Sequence, residues 1–333
     1  MQAEITRGVV WLALSTAFAC ATAAVSFAAD KPGVVDVQSS LGYKSEVGSG
    51  TGILLTSAGE ILTNNHVIRG ATSVTVTDVD NGQIYPVKVV GYDVAHDIAV
   101  LKVTPKHPPL KLIALGSSRG LEVGQTVTAF GNAGGLGLDL TRGSGAILAL
   151  GRSAVAKNDD GSTEALSNMI VTSALVLGGE SGGPLLDSHG RVVGINTAAY
   201  DAYVLPSGKR GSVAFAIPIT EALAVARDIA RGHETATNHI GPTPLLGIDV
   251  LTATNPGQGA AVNIVFPGSP AAKAGIVAGD RILSIAGKTV TSLATLQAAL
   301  LHNAPKDRVA VEFLDRAGKP RSGHVVLGVG PAQ

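Results

Sequence analysis

Cysteine is almost absent: Cys20 is the single one in 333 residues, and it lies in the first thirty. That excludes an internal disulfide, and beyond this segment it excludes a thiol nucleophile or a cysteine metal site. Charge is scarce and balanced, with 25 basic and 25 acidic residues and a formal net charge of zero. No runs of like charge occur, so nothing marks a surface for nucleic acid or an anionic membrane. No HExxH and no His/Asp cluster at ligand spacing is present, so no metal is expected. No phosphate-cradling glycine loop opens a helix, so no nucleotide or other cofactor is implied. Glycine, in contrast, abounds: 42 residues, about one in eight against an ordinary ~7%. Such a chain is built of many short strands joined by tight turns, and its length suits two domains.

Residues 1–29 read differently from the rest. Arg7 precedes a nearly unbroken apolar run from Val9 to Ala29, with small residues at Ser26, Ala28 and Ala29 before Asp30. This pattern is that of a signal peptide cut near Asp30. A retained membrane anchor is the alternative, since about twenty apolar residues can span a bilayer. Lipidation at Cys20 is a third, although "AFAC" lacks the expected leucine three residues before the cysteine. All three place the remainder outside the cytoplasm: periplasm, cell envelope or medium.

From Val34 to about Pro218 short β-type runs follow one another between Gly, Asn, Asp and Ser turns, which argues for an antiparallel, closed or sandwiched architecture. The period then becomes helical in "TEALAVARDIARG", with Leu223, Ala226, Ile229 and Ala230 on one face, Thr220 as N-cap and Gly232 as stop. Residues 233–243 read as a linker, in the polar stretch "HETATNHIGPTP" that ends in Pro242 and Pro244, between a domain over 30–232 and a smaller α+β unit over 244–330. That unit holds a helix capped by Ser292 and a short helical turn in "SPAAKAG".

A serine hydroxyl becomes a nucleophile only when a base takes its proton, a carboxylate holds that base in one tautomer, and donors await the oxyanion. His66, in "GEILTNNHVI", follows an apolar strand; Asp97 heads the apolar run "DIAVLKV"; Ser181 lies in "VLGGESGGPLL". Taken singly, these are also what a structural histidine, a turn aspartate and a glycine-rich surface turn look like. His96, beside Asp97, is expected to face solvent.

Three stretches together, "GSGTGILLTSAGEILTNNHVI", "GYDVAHDIAVLKV" and "GGESGGPLLDSHGRVVGINTAA", resemble the trypsin-like serine proteases, and within them the HtrA/Deg family of exported proteases with PDZ domains. The likeness runs over roughly residues 47 to 218, includes the loop "GNAGGLG" (Gly131–Gly137), and in detail is similar to the actinobacterial secreted members. It implies a mainly β fold of two six-stranded antiparallel β-barrels, chymotrypsin-like, followed by an α+β PDZ domain. It further implies Ser181 as nucleophile, His66 as general base, Asp97 as its orienting acid, and the N–H groups of Gly179 and Ser181 as the oxyanion hole. Two positions depart from the family: Glu180 stands where asparagine or aspartate is usual, and Ser173 where aspartate is common. The longer Glu180 carboxylate needs buried partners or solvent and would thereby bias the loop between resting and active forms.

Substrate would pair with the strand at Asn196, Thr197, Ala198 and Ala199, with Leu175 near the base of the specificity pocket. The segment Val171 to Leu177 holds no acid, so cleavage after uncharged residues such as Val, Ala or Leu is expected. Over 244–328 the chain resembles a PDZ domain whose carboxylate-binding loop is "LLGI": Leu245, Leu246, Gly247 and Ile248. Its partners would be peptide C-termini, and those of the whole protein misfolded or unfolded chains. A chaperone or scaffold with little proteolysis is the competing reading. HtrA relatives are commonly trimers built through the segment ahead of the first barrel; here, over roughly 30–46, it is short with one aromatic, Tyr43, and the homotrimer stays open.

Overall fold

A computed structural model describes residues 26–27, 33–41, 46–105, 109–135, 140–157, 163–204, 210–251 and 259–332. The apolar run 9–25, Tyr43 and the end of the "GNAGGLG" loop lie outside the described residues. Alternation in the sequence sets the faces of the strands. In Ser73–Asp78, Val74 and Val76 are buried while Ser73 and Thr75 are exposed; in Arg308–Leu314, Val309, Val311 and Phe313 point inward.

An eight-stranded antiparallel sheet runs in the order Asn238–Ile240, Lys88–Asp93, Ile98–Lys102, Glu60–Thr63, Glu46–Leu54, Val34–Leu41, Ser73–Asp78, Gln83–Pro86. A seven-stranded sheet follows the order Ser26–Phe27, Thr141–Lys157, Thr163–Thr172, Arg210–Pro218, Val192–Val204, Pro184–Leu186, Thr126–Gly131, and its last strand also pairs with Thr141–Lys157. The expectation of two six-stranded barrels is therefore corrected. The first sheet curls about its core without closing, because the outer edge of Lys88–Asp93 is taken by Asn238–Ile240, from the stretch read as linker. At the other end, Gln83–Pro86 pairs with Ser73–Asp78 alone among the described strands. The seven-stranded sheet has a seventh member in Ser26–Phe27.

The third large sheet is open and six-stranded: Ile248–Val250, Ala260–Val265, Arg281–Ile285, Arg308–Leu314 and Pro320–Val326, with Lys288–Thr289 added to Arg281–Ile285. The helix Leu293–Leu300 packs on it, begun by the expected Ser292 cap in a reciprocal box with Thr295. The short helix Pro270–Lys273 begins at Ser269.

One core joins the two large sheets, from Val34, Ile53, Leu62 and Ile98 on one side to Val171, Ile195 and Phe215 on the other. The helix Ile219–Ala230 closes it with Ile219, Ala222, Ala226 and Ile229. Ala226 and Ile229 lie on the expected face, but Ala222 is buried where Leu223 is only half-buried, and Ala230 is exposed. Pro218 occupies the cap position, and Thr220 instead bonds Ser118 on a neighbouring loop.

Candidate active site

Four chain segments meet where the eight-stranded sheet faces the seven-stranded one. The first ends the strand Glu60–Thr63 in the one-turn helix Asn65–Ile68, anchored by buried Val67 and Ile68 and by Ser39 Oγ donating to Val67 O at 2.7 Å. His66 is its second residue. Its backbone N–H donates to Asp97 Oδ1 at 2.9 Å, and its ring Nδ1 lies 2.8 Å from Asp97 Oδ2. A carboxylate only accepts, so Nδ1 carries the proton and the neutral ring keeps its lone pair on Nε2. Asp97 is fully buried while the His66 side chain is 25% exposed, so the base faces the accessible side.

Asp97 adopts a left-handed conformation (φ 51°), which a short polar side chain tolerates. Two further groups hold it: Thr197 Oγ1 donates to Oδ2 at 2.6 Å, and Asn64 Nδ2 donates to its carbonyl at 2.8 Å. Neither hold is visible in the sequence. Thr197 belongs to the expected substrate strand and lies one hundred residues from Asp97; Asn64 gives a signal only as a polar residue directly after an apolar strand.

The nucleophile candidate sits in a turn closed by Glu180 N donating to Leu177 O and Gly183 N donating to Glu180 O. Ser181 Oγ donates to Thr197 O at 3.2 Å. Gly182 must be glycine: its φ is +85°, and an added Cβ would stand 2.1 Å from Thr51 O and 2.2 Å from Thr63 Oγ1. Gly179 is likewise left-handed (φ 94°). Between them Glu180 is buried, accepting from Leu177 N at 2.8 Å and from the Thr141 hydroxyl. Burial pushes its carboxyl above the usual range, against the lowering effect of those two hydrogen bonds.

Of the expected substrate-contacting positions, Thr197 is brought to Asp97 and Ser181. Asn196 is buried and structural, its N–H on Gly183 O and its Nδ2 on Pro184 O at 3.2 Å. Ala198 and Ala199 continue the strand opposite Phe215 and Ala214; their side chains lie outside the described residues. Half-buried Leu175 is packed so closely on the strand Thr141–Lys157 that a Cβ on Gly143 would meet its carbonyl at 2.1 Å.

A second locus lies on the six-stranded sheet. The carbonyls of Leu246 and Gly247 accept from Ala271 N and Phe266 N, at 2.9 and 3.1 Å, and Gly247 is left-handed (φ 78°). Leu245 ends a short strand paired with Gly328–Gly330, and Ile248 opens the edge strand of the sheet. His96 does not simply face solvent. It is half-buried, bonded to Asp93 at 2.9 Å, and that hydrogen bond raises its pKa.

Comparison with known proteins agrees with this division. A trypsin-like peptidase domain matches residues 50–195 and a PDZ domain matches residues 244–326. The chain is similar to the periplasmic pH-dependent serine endoprotease DegQ of Escherichia coli K12, 37% identical over 286 residues, covering 84% of this chain and 59% of the relative. It is similar to the serine protease PepD of Mycobacterium tuberculosis, 35% identical over 312 residues, covering 89% and 64%. The chain thus spans less than two thirds of the length of these relatives. A solved structure of the HtrA-type protease AlgW with a tripeptide superposes with a TM-score of 0.50 and 28% identity, over 91% of this chain and 95% of that one.

Proposed function

The chain belongs to the HtrA/Deg family of trypsin-like serine proteases that carry a PDZ domain, and on that premise we propose that it is an exported serine endopeptidase acting on misfolded or unfolded extracytoplasmic proteins. The observation that carries the reading is the double hold of Asp97 on His66, through the backbone N–H and through Nδ1. It leaves Nε2 as the base. Ser181 Oγ leaves the Thr197 carbonyl, gives its proton to Nε2 and attacks the substrate carbonyl. The oxyanion is received by the N–H groups of Gly179 and Ser181. His66 then passes the proton to the departing amine, and water repeats the sequence to free the acyl group. The hydrogen bond that Ser181 must give up, at 3.2 Å, is long for a hydroxyl donor and costs little.

Substrate backbone lies along Asn196–Ala199, and the absence of acid from Val171 to Leu177 favours uncharged residues at the cleaved position. The Leu245–Ile248 loop takes a peptide carboxylate, and the peptide extends the sheet beside the open edge of Ile248–Val250. Export follows from the apolar N-terminal run, with the periplasmic DegQ as a supporting relative. Within the family its motifs resemble those of the actinobacterial secreted members.

The test compares the wild-type protein with Ser181→Ala on unfolded casein and on a peptide library. We expect Ser181→Ala to lose at least about 10³-fold in rate, and the wild-type cleavage profile to favour Val, Ala or Leu. Equal degradation by both proteins would sink the enzyme reading in favour of a binding protein. A profile dominated by Arg, Lys, Asp or Glu would overturn the pocket assignment.

A further inference from the structure

Thr51 stands on the strand Glu46–Leu54, in the eight-stranded sheet, and is fully buried. Each of its polar groups is engaged. Its N–H donates to Ser181 O at 2.8 Å, and its Oγ1 donates to Gly179 O at 2.8 Å while accepting from Asn132 N at 2.9 Å. Its own carbonyl accepts from Thr63 Oγ1 at 2.6 Å. One residue therefore grips the nucleophile turn at two carbonyls, on either side of Glu180.

Across the turn, Gly178 O accepts from Gly134 N at 2.8 Å. Both peptide units flanking Gly179 are thus held by their oxygens. In a trans peptide the N–H points opposite to the C=O. With its carbonyl committed to Gly134, the Gly178–Gly179 unit aims the Gly179 N–H to the other side. The loop itself contributes little to this choice, because a Gly-Gly pair populates left- and right-handed conformations almost equally. The choice is made by the groups that hold the carbonyls.

We propose that Thr51 is a positioning residue of the oxyanion hole: by holding the Gly179 carbonyl, its hydroxyl keeps the N–H groups of Gly179 and Ser181 aimed at the oxygen that becomes negative. The inference rests on the hydrolase reading of Ser181. A valine at this position would fill the same volume but face Gly179 O and Asn132 N–H with a methyl group. The half-buried Gly179 carbonyl and the buried Asn132 N–H would lose the Thr51 hydroxyl, and rotation of the Gly179–Glu180 peptide would relieve the carbonyl. The loss falls on the step in which charge develops, so it appears in kcat and leaves KM unmoved.

The experiment uses wild type, Thr51→Val, Thr51→Ser and Ser181→Ala with three probes: a cleavable peptide, a peptide of the same sequence ending in leucinal, and the product peptide. The aldehyde forms a tetrahedral adduct that fills the hole; the product does not. For Thr51→Val we expect kcat to fall ~10- to 100-fold, less than the full loss of one donor, with aldehyde affinity falling in proportion. KM and product affinity should stay within about twofold, and Thr51→Ser should recover to within about threefold of wild type. Unchanged kcat and aldehyde affinity in Thr51→Val would overturn the proposal, as would a kcat loss with no loss of aldehyde affinity. A Thr51→Ser variant as slow as Thr51→Val would do the same, since the methyl would then be the part that matters. Should Thr51→Val melt low, the ratio of aldehyde to product affinity, taken below its midpoint, decides the matter for the folded protein. Wild type with no Ser181-dependent turnover is a different failure, that of the hydrolase reading itself, and Ser181→Ala identifies it.

Discussion

Glu180 shows how far a single residue can be read in advance. Its position before Ser181 and its extra methylene mark it as a departure from the family whose carboxylate needs either buried partners or solvent. What the sequence withholds is the pair of donors: Leu177 N from the same turn, and the Thr141 hydroxyl from a strand 39 residues earlier. Because burial raises its pKa, the folded state keeps the proton to higher pH than the unfolded chain does. Its contribution to stability is therefore full below the unfolded value, about 4.3 for Glu, and is lost as pH rises through the folded value. Glu180→Gln should remove this loss, so its melting temperature relative to wild type should rise as pH increases through that window. Parallel melting curves at every pH would show that Glu180 does not titrate there. Glu180→Asn is too short to reach both donors and should lower basal peptide hydrolysis, by less than the ~10²–10³-fold that full loss of an oxyanion donor costs. Identical basal rates and identical inhibitor reactivity would remove Glu180 from the control of the loop.

At the scale of the element, the turn Leu177–Gly183 and the strand Glu46–Leu54 behave as one unit. Gly182 has no room for a side chain because Thr51 O and Thr63 Oγ1 close over it. Gly182→Ala is expected to cost about 2–4 kcal/mol, a sum of the left-handed φ and the overlap. It should also take activity with it, since the turn moves when the strand does. Denaturant titration together with peptide hydrolysis checks both; a fully stable, active variant would mean that the two segments can part without disturbing Ser181. The glycines are legible as a tight turn. That they admit a neighbouring strand, and which one, is not, since close approach is a property of two segments and only one is in view in any stretch of sequence. The strand Asn238–Ile240 makes the same point. Its polar, proline-ended stretch reads as a linker, and its pairing with Lys88–Asp93 depends on an edge supplied from far upstream.

Across the whole molecule, two of the joints among the described residues that tie the PDZ unit to the protease unit lie close to the elements of the site. His239 lies 2.5 Å through Nδ1 from Leu301 O, at the end of the helix Leu293–Leu300, and packs on Tyr92 with ring centres 5.4 Å apart. Ala332 bridges to Arg69 and accepts from Gly70 N at 2.8 Å, directly after the helix that bears His66. A chain ending at Gly241 keeps the Asn238–Ile240 strand but has neither joint. It should hydrolyse a short peptide several-fold more slowly, and its protease unit should melt about 2–4 °C lower for each kcal/mol by which the joints stabilise it. Its rate on an unfolded protein should fall further than its rate on the peptide. Unchanged rates on both substrates would show that the joints are mechanical only.

The sequence by itself determined the mainly β character, the order of the two units, the cap at Ser292, and which serine, histidine and aspartate to watch. Each of these is written in residues next to one another, in periodicity, turn chemistry and motif. The open eight-stranded sheet, the buried partners of Asp97 and Glu180, and the grip of Thr51 on Gly179 were decided by the tertiary structure alone. Closure, burial and hydrogen-bond satisfaction depend on which distant segment arrives at a given edge, and no local pattern carries that.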